Sequence, residues 1–410
     1  MIKRIYESLL GEYLGIFPVV AVVGARQVGK STLVTGERIG AGRRYVTLDE
    51  LAARGLAERD PGALLEGAGP ITIDEVQLAP GLLREIKRRV DEERIPGRYL
   101  VTGSADLNHC VELSSVLAGR VGILRLPPIL QTEMGGGTGW RRWLAAQSIG
   151  DLDAAFEGRS YAAFNWNRLV TGGFPLSLLA KDARERTLWM QAFQTTYLER
   201  DLRRLSDVGN LVDFARLMER SASATGTVLN QAQLARDVGM SPATAGRHLS
   251  LLEASLLIGR IPPYFANIGK RMVKSPKFIW QDTGLAAHLL GLADARILRN
   301  DPLMAGRLFE TFVLTEIQSL LPLVDPAARL FHVRTHDQLE VDGLVQLGRR
   351  FLPVEIKAGT SPSGEQAKAI NRWTELNPHH GPGVVLHAGT DYLRLSRAAR
   401  ALPVTALFNE

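Results

Sequence analysis

Gly24-Ala25-Arg26-Gln27-Val28-Gly29-Lys30-Ser31 is a G-x4-G-K-S/T stretch, and its flanks decide how it folds. The apolar β-branched run Pro18-Val19-Val20-Ala21-Val22-Val23 leads in, and Thr32-Leu33-Val34 leads out with helical character. A strand, a glycine-rich turn and a helix start aim several backbone N–H groups, with the positive end of a helix dipole, at one point. That point is a phosphate cradle. Lys30 adds a mobile cation for the terminal phosphates and Ser31 a hydroxyl for magnesium. Gly24, Ala25, Arg26, Gln27, Val28, Gly29, Lys30, Ser31 and Thr32 are thus the expected nucleotide-binding run. A glycine turn that merely carries a lysine would explain neither the strand before it nor the motif that follows.

That motif is Ile71-Thr72-Ile73-Asp74-Glu75, a short β-branched strand ending in two carboxylates. Asp74 would hold magnesium through its water shell, because that ion keeps several waters and takes few protein carboxylates. Glu75 would polarise the attacking water as a general base. Taken alone, the pair would also suit a solvated acidic turn. A further strand, Arg98-Tyr99-Leu100-Val101-Thr102-Gly103-Ser104, ends in hydroxyl residues. Thr102 or Ser104 is a candidate γ-phosphate sensor, although such residues also end strands for turn chemistry alone.

A chain of 410 residues should hold two to four domains. Its 45% hydrophobic and 22% charged content suits packed cores rather than disorder. Lys+Arg 49 against Asp+Glu 43 leaves +6, a mild bias towards polyanions. Cys110 is the only cysteine, which excludes an internal disulfide and a cysteine-rich zinc site. Lys3 and Arg4 before the run from Ile16 to Val23 superficially resemble a signal peptide. Glu7, Glu12 and Pro18 interrupt it and the run ends in the phosphate loop, so it reads as a core strand. No stretch reaches the ~20 apolar residues that span a bilayer, and a cytoplasmic protein without membrane partners is expected.

The fold class expected is α/β. Residues 1–134 alternate strand and helix as a P-loop NTPase parallel-sheet domain, with Leu82, Leu83, Ile86 and Val90 at helical spacing. Gly135-Gly136-Gly137-Thr138-Gly139 reads as a flexible junction, and 140–208 as a helical segment. Residues 209–290 read as a winged helix-turn-helix. Gln231 to Val238 forms one helix. Ser241 caps the next, with Pro242 at its first position and Leu249, Leu252 and Leu256 inward. Strands follow near Leu257–Ile261 and Phe278–Trp280, flanking a hairpin tip at Asn267 to Lys274. Arg260, Lys270, Arg271, Lys274 and Lys277 give this wing five positive charges and no acid, which suits DNA phosphates. Thr244, Arg247 and His248 are the side chains expected to approach base edges. A winged helix used for protein packing is the alternative.

Residues 303–410 read as a restriction-endonuclease-like α/β domain. Phe351-Leu352-Pro353-Val354-Glu355-Ile356-Lys357 is a strand, and its alternation puts Glu355 and Lys357 on one face. Asp342, in Glu340-Val341-Asp342, would meet that face. Asp342 and Glu355 would then hold a metal, Lys357 would orient water, and Glu310 and Gln366 would lie close by. A surface Glu–Lys pair would also fit so loose a pattern, but charge inside an apolar strand is costly unless paired or metal-bound.

End to end, the chain resembles the bacterial and archaeal AAA-type ATPases that join an N-terminal P-loop domain to a C-terminal domain called DUF4143. The resemblance is carried by Gly24 to Ser31, Ile73-Asp74-Glu75-Val76-Gln77, Thr102-Gly103-Ser104, Ala118-Gly119-Arg120, Gly172-Gly173-Phe174-Pro175 and Leu198-Glu199-Arg200-Asp201. It continues through Asp282-Thr283-Gly284-Leu285-Ala286, Gly306-Arg307-Leu308-Phe309-Glu310, Glu340-Val341-Asp342 and Glu355-Ile356-Lys357. It implies an ATPase with ATP and magnesium as cofactors, a winged-helix middle and a tail of the PD-(D/E)xK nuclease kind. Gly343 departs from the family, which carries an aromatic after this aspartate, and looser packing is expected there. An arginine must neutralise charge on the γ-phosphate. Arg120 is the first candidate in cis and Arg200 the second, either of them able to act across the interface of a homo-oligomer. Three functions stay open: an ATPase that switches a DNA-binding middle and tail, an ATP-gated metal nuclease, and a nucleotide-switched adaptor for a protein partner.

Overall fold

The computed structural model describes residues 2–67, 69–104, 116–198, 211–264, 275–335, 339–377 and 379–408. They form two compact units, Met1–Ile129 with Leu252–Leu257, and Leu130–Leu251 with Ile258–Glu410.

The first unit is built on five parallel strands: β1 (Val19–Val23), β2 (Arg44–Thr47), β3 (Ile71–Asp74), β4 (Tyr99–Gly103) and β5 (Val121–Arg125), in the order β2-β3-β4-β1-β5. β1 and β4 are buried along their whole length. This is why both read as continuous apolar runs rather than alternating ones: helices cover both faces of a parallel sheet. The helix Leu82–Glu92 turns Leu82, Leu83, Ile86 and Val90 into this core. Burying each such side chain contributes about 1.5–3 kcal/mol. Register matters most for function. Val23 lies opposite Gly103 on one side and Arg125 on the other, and Thr47 lies opposite Asp74. The loop after β1 and the ends of β3, β4 and β5 therefore share one edge, the carboxyl edge where open α/β sheets bind ligands.

The second unit holds helices and two sheets. Thr227–Val228 (β6), Ile258–Ile261 (β7) and Lys277–Trp280 (β8) form an antiparallel sheet in the order β6-β8-β7. The helices Gln231–Asp237 and Pro242–Ala254 are present, and the Ser241 hydroxyl accepts the Thr244 N–H at 3.1 Å as the cap. The expected hairpin tip lies outside the described residues.

The second sheet has six strands: β9 (Arg329–Arg334), β10 (Glu340–Leu347), β11 (Arg350–Lys357), β12 (Gly383–His387), β13 (Leu393–Arg394) and β14 (Ala399–Pro403). Their order is β13-β14-β12-β11-β10-β9, antiparallel across β9-β10-β11 and parallel across β11-β12-β14. The helix Pro302–Leu320 packs on this sheet and is buried along most of its length. The two sheets are joined directly. Past β7, Pro263 bridges His332 of β9, and Tyr264 donates to the His332 carbonyl at 2.8 Å.

Two local expectations change. The glycine run after residue 134 is not a loose junction, because Gly137 and Gly139 are buried. A Cβ on Gly139 would stand 1.9 Å from the Ala406 carbonyl oxygen, so the helix Gly139–Ala145 sits directly on Val404–Phe408. Nor is packing loose at Gly343, where Leu314, Leu330 and Val354 close over the Cα.

Candidate functional site

At the carboxyl edge of the first sheet, Lys30 is 5% exposed, and its ammonium donates to the Gly24 and Ala25 carbonyls at 3.0 Å each. It lies folded into the loop that a phosphate would share with it. β3 is not a neighbour of β1; β4 lies between them, and the site is wired across it. Ser31 Oγ donates to Asp74 Oδ2 at 2.8 Å, and the Tyr45 hydroxyl reaches the same oxygen at 2.7 Å. Burial, then the bond to Asp74, pushes the Tyr45 hydroxyl well above the ordinary phenol range. Thr102, from the intervening strand, donates to Asp74 Oδ1 and accepts the Glu75 N–H at 3.0 Å. It is fully buried, so it sets the Asp74 carboxylate and the Glu75 backbone in place rather than facing a phosphate.

Glu75 sits in the left-handed region at φ 58°, as does Gln27 at φ 62°. Non-glycine residues held there concentrate at functional sites. The Gln77 amide donates to Glu75 Oε2 and, at 3.0 Å, to Ser104 Oγ, so Ser104 is tied to the carboxylate through one side chain. A hydroxyl and a carboxylate 2.8 Å apart, beside an open phosphate loop, match the few protein ligands that a magnesium ion takes. Ser31 and Asp74 would hold that ion.

Two further residues belong to this edge. Arg4 is buried, donating to the Val28 carbonyl at 2.8 Å and the Pro127 carbonyl at 2.7 Å. It braces the back of the phosphate loop, a role that a lone basic residue near a chain start does not advertise. Arg125 ends β5 opposite Val23, beside the loop. Arg120 is corrected. It precedes β5, pairs with Asp91 at 2.5 Å, and stands a full strand length, roughly 13–16 Å, from the carboxyl edge. It cannot reach a phosphate in its own chain. Arg200 lies outside the described residues.

In the second unit the helix Pro302–Leu320 supplies Glu310, β10 supplies Asp342, and β11 supplies Glu355 and Lys357 on one face. Lys357 Nζ lies 2.5 Å from Glu355 Oε1 and 3.6 Å from Asp342 Oδ2. An irregularity in the β9–β10 register between Val341 and Leu344 frees Asp342 from the ladder. Its Oδ2 accepts the Ile356 N–H at 2.9 Å. Gln366 lines a groove of about 390 Å³ with Glu355 and Lys357, although its Oε1 is engaged by Ser363 at 2.7 and 2.9 Å.

The structure adds a member from among the five basic residues expected to face DNA phosphates. Lys277, at the start of β8, is 2% exposed, with Nζ 2.5 Å from Glu310 Oε1 and 3.5 Å from Asp342 Oδ1. Burial and then the Asp342 charge push Glu355 up to about 8 and Glu310 up to about 7. Burial also lifts Asp342, but Lys277 and Lys357 outweigh it and hold that carboxyl low. Next to the cluster, burial and then Lys277 push the His332 imidazole down to about 4.

A divalent ion does not fit this set as it stands. Both oxygens of Asp342 face an ammonium, and no three His, Cys, Asp or Glu among the described residues converge on one ion position. An ion 4 Å from Lys277 Nζ would be repelled by about 8 kcal/mol at an effective dielectric of 20.

The residues expected to approach DNA bases separate. Arg247 is exposed; Thr244 is half-buried, its hydroxyl 2.9 Å from Ser241 Oγ. His248 is corrected: it is 8% exposed and lies 5.0 Å, ring to ring, from Phe214. It falls on the same helical stripe as Ala245, Leu249 and Leu252, and burial lowers its pKa. Lys270, Arg271 and Lys274 lie outside the described residues. Lys277 is spent in the tail cluster, so the expected row of five wing charges does not form.

Comparison with known proteins follows this division. Residues 17–135 match the family profile described as AAA domain. Residues 165–296 match a domain of unknown function, DUF8612, and residues 305–407 match the domain of unknown function DUF4143. The uncharacterized proteins Rv2008c of Mycobacterium tuberculosis and Mb2031c of Mycobacterium bovis are each 33% identical over 348 residues, which is 84% of this chain and 71% of theirs. Among solved structures, the Walker-type ATPase PABY2304 of Pyrococcus abyssi aligns with a TM-score of 0.43 at 14% identity, over 70% of this chain and 96% of that one. No helix among the described residues is long and apolar enough to cross a membrane. With both domain profiles matched in order and relatives aligned over most of their length, the chain belongs to the AAA-type P-loop ATPases that carry a C-terminal DUF4143 domain.

Proposed function

We propose that this protein hydrolyses ATP with magnesium and uses the cycle to switch the binding state of a winged-helix middle and a restriction-endonuclease-like tail. The observation that carries the reading is the 2.8 Å contact of Ser31 with Asp74, next to Glu75 and Lys30 on one sheet edge. In it, the loop N–H groups and Lys30 hold the phosphates, and Ser31 and Asp74 hold the ion. Bound magnesium supplies charge neutralisation on the phosphates. Glu75, freed from Gln77, takes a proton from the attacking water. Arg125 in cis, or Arg120 or Arg200 of a second copy, supplies the positive charge that phosphoryl transfer needs.

Turnover measured against magnesium concentration tests this. Asp74→Asn should raise the magnesium needed for half-maximal turnover about 10- to 100-fold, the usual cost of losing an outer ligand. An unshifted magnesium curve in a folded variant removes Asp74 from the ion site.

A nucleic-acid backbone is the second reading of what the switch controls. It is favoured by an open groove of about 630 Å³ lined by Asn230, Gln231, Arg260 and Arg334, together with the exposed Arg247. Duplex affinity should then fall with salt, with a logarithmic slope near −0.9 for each phosphate contacted. A flat salt response would leave a protein partner as the target.

A further inference from the structure

The tail's carboxylates come from three elements, yet one of the two cations among them comes from a different sheet. Lys277 opens β8 of the three-stranded sheet, and its side chain ends between Glu310 and Asp342 at 2.5 and 3.5 Å. It also lies 3.3 Å from the Asp342 carbonyl oxygen. Lys357 covers the other side of Asp342 and one oxygen of Glu355. Three carboxyl groups and two ammonium groups thus form a closed set, with Lys277 between Glu310 and Asp342 and Lys357 between Asp342 and Glu355. Its strand is anchored on both sides. β8 pairs with β7 along Ile258–Ile261, and beyond β7 the chain bridges to His332 of β9. His332 N–H in turn donates to the Pro262 carbonyl at 3.0 Å. Lys277 therefore cannot withdraw without disturbing the junction of the two sheets.

We propose that Lys277 is the resident cation of the tail centre, excluding a divalent ion and stapling the three-stranded sheet to the six-stranded sheet through Glu310 and Asp342. Buried charges are retained when paired, and an ammonium satisfies two carboxylates with none of the oxygen ligands a hard cation demands. The cluster on this account is a joint, not a cutting site. The proposal stands independently of ATP hydrolysis by the first unit.

Manganese uptake by the full-length chain without nucleotide, read from the free-ion electron paramagnetic resonance signal, tests it. Wild type and Asp342→Asn should take up the same manganese. Lys277→Met should gain one site at least tenfold tighter, and adding Asp342→Asn should remove it. Lys277→Arg, which keeps the charge, should match wild type. Uptake by wild type that falls tenfold in Asp342→Asn would overturn the proposal, and this pair decides even if Lys277→Met does not fold. A folded Lys277→Met with no extra uptake also overturns it, because something other than Lys277 would then be keeping the ion out.

Discussion

Glu75→Gln should leave ATP binding intact and lower kcat about 100- to 10,000-fold, the range that a positioned general base contributes. The reason is local. Glu75 N–H is held at 3.0 Å by Thr102, and the backbone sits in the left-handed region, so the side chain's root is fixed whatever its head group carries. A carboxamide matches the carboxylate in shape but accepts no proton. The loss should fall on kcat with KM unchanged, the signature of an interaction made only in the transition state. Lys30→Ala should behave differently, because its ammonium lies inside the phosphate loop and its loss weakens binding itself. Phosphate release and fluorescent-nucleotide titration on the two variants separate these outcomes. Unchanged turnover in a folded Glu75→Gln would mean that another group polarises the water.

How far the residues could be read depends on which physical fact each reading needed. The phosphate loop and the Asp74-Glu75 pair needed only local chemistry, a strand running into a glycine turn and a strand ending in acids, and the structure sets them on one edge. Glu355 and Lys357 needed only the two-residue period of a strand. His248 needed its helical period as well: residues 245, 248, 249 and 252 make one stripe, and the imidazole goes inward with the leucines. Arg120 and Lys277 required more than period. Which end of β5 faces the loop follows from strand order and direction, and these are settled by packing between distant segments. That Lys277 turns to Glu310 and Asp342 depends on where one sheet meets the next. A run of basic residues without acids reads as a solvated surface until that meeting is known. Arg4 was invisible for the same reason: its partners are carbonyls at Val28 and Pro127, and carbonyls leave no mark in a sequence.

The same logic makes sense of two motifs 109 residues apart, and it yields the largest expected loss of stability. Gly172→Ala should destabilise the second unit by roughly 3–5 kcal/mol or prevent its folding. Gly172 has φ +69°, and a Cβ there would stand 2.3 Å from Asp282 Oδ1 and 2.7 Å from Oδ2. Left-handed backbone costs a side-chain-bearing residue about 1–2 kcal/mol. Displacing the carboxylate adds more. Asp282 is buried, accepts the Gly173 N–H at 2.5 Å, and caps the helix Thr283–Leu289 through the Leu285 N–H at 2.7 Å. Each buried N–H left without its acceptor costs about 1–3 kcal/mol. Gly284 meets Gly172 from the other side, where its own Cβ would come within 2.6 Å of the Gly172 nitrogen. Gly172-Gly173 and Asp282-Thr283-Gly284 are thus two halves of one joint, closed by backbone contact with the carboxylate as its pin. Gly291 supplies the control, with φ +72° and nothing within 4 Å of its would-be Cβ. In chemical denaturation Gly291→Ala should lose only the backbone share, about 1–2 kcal/mol. Equal losses in the two variants would show that the joint is not what makes Gly172 necessary.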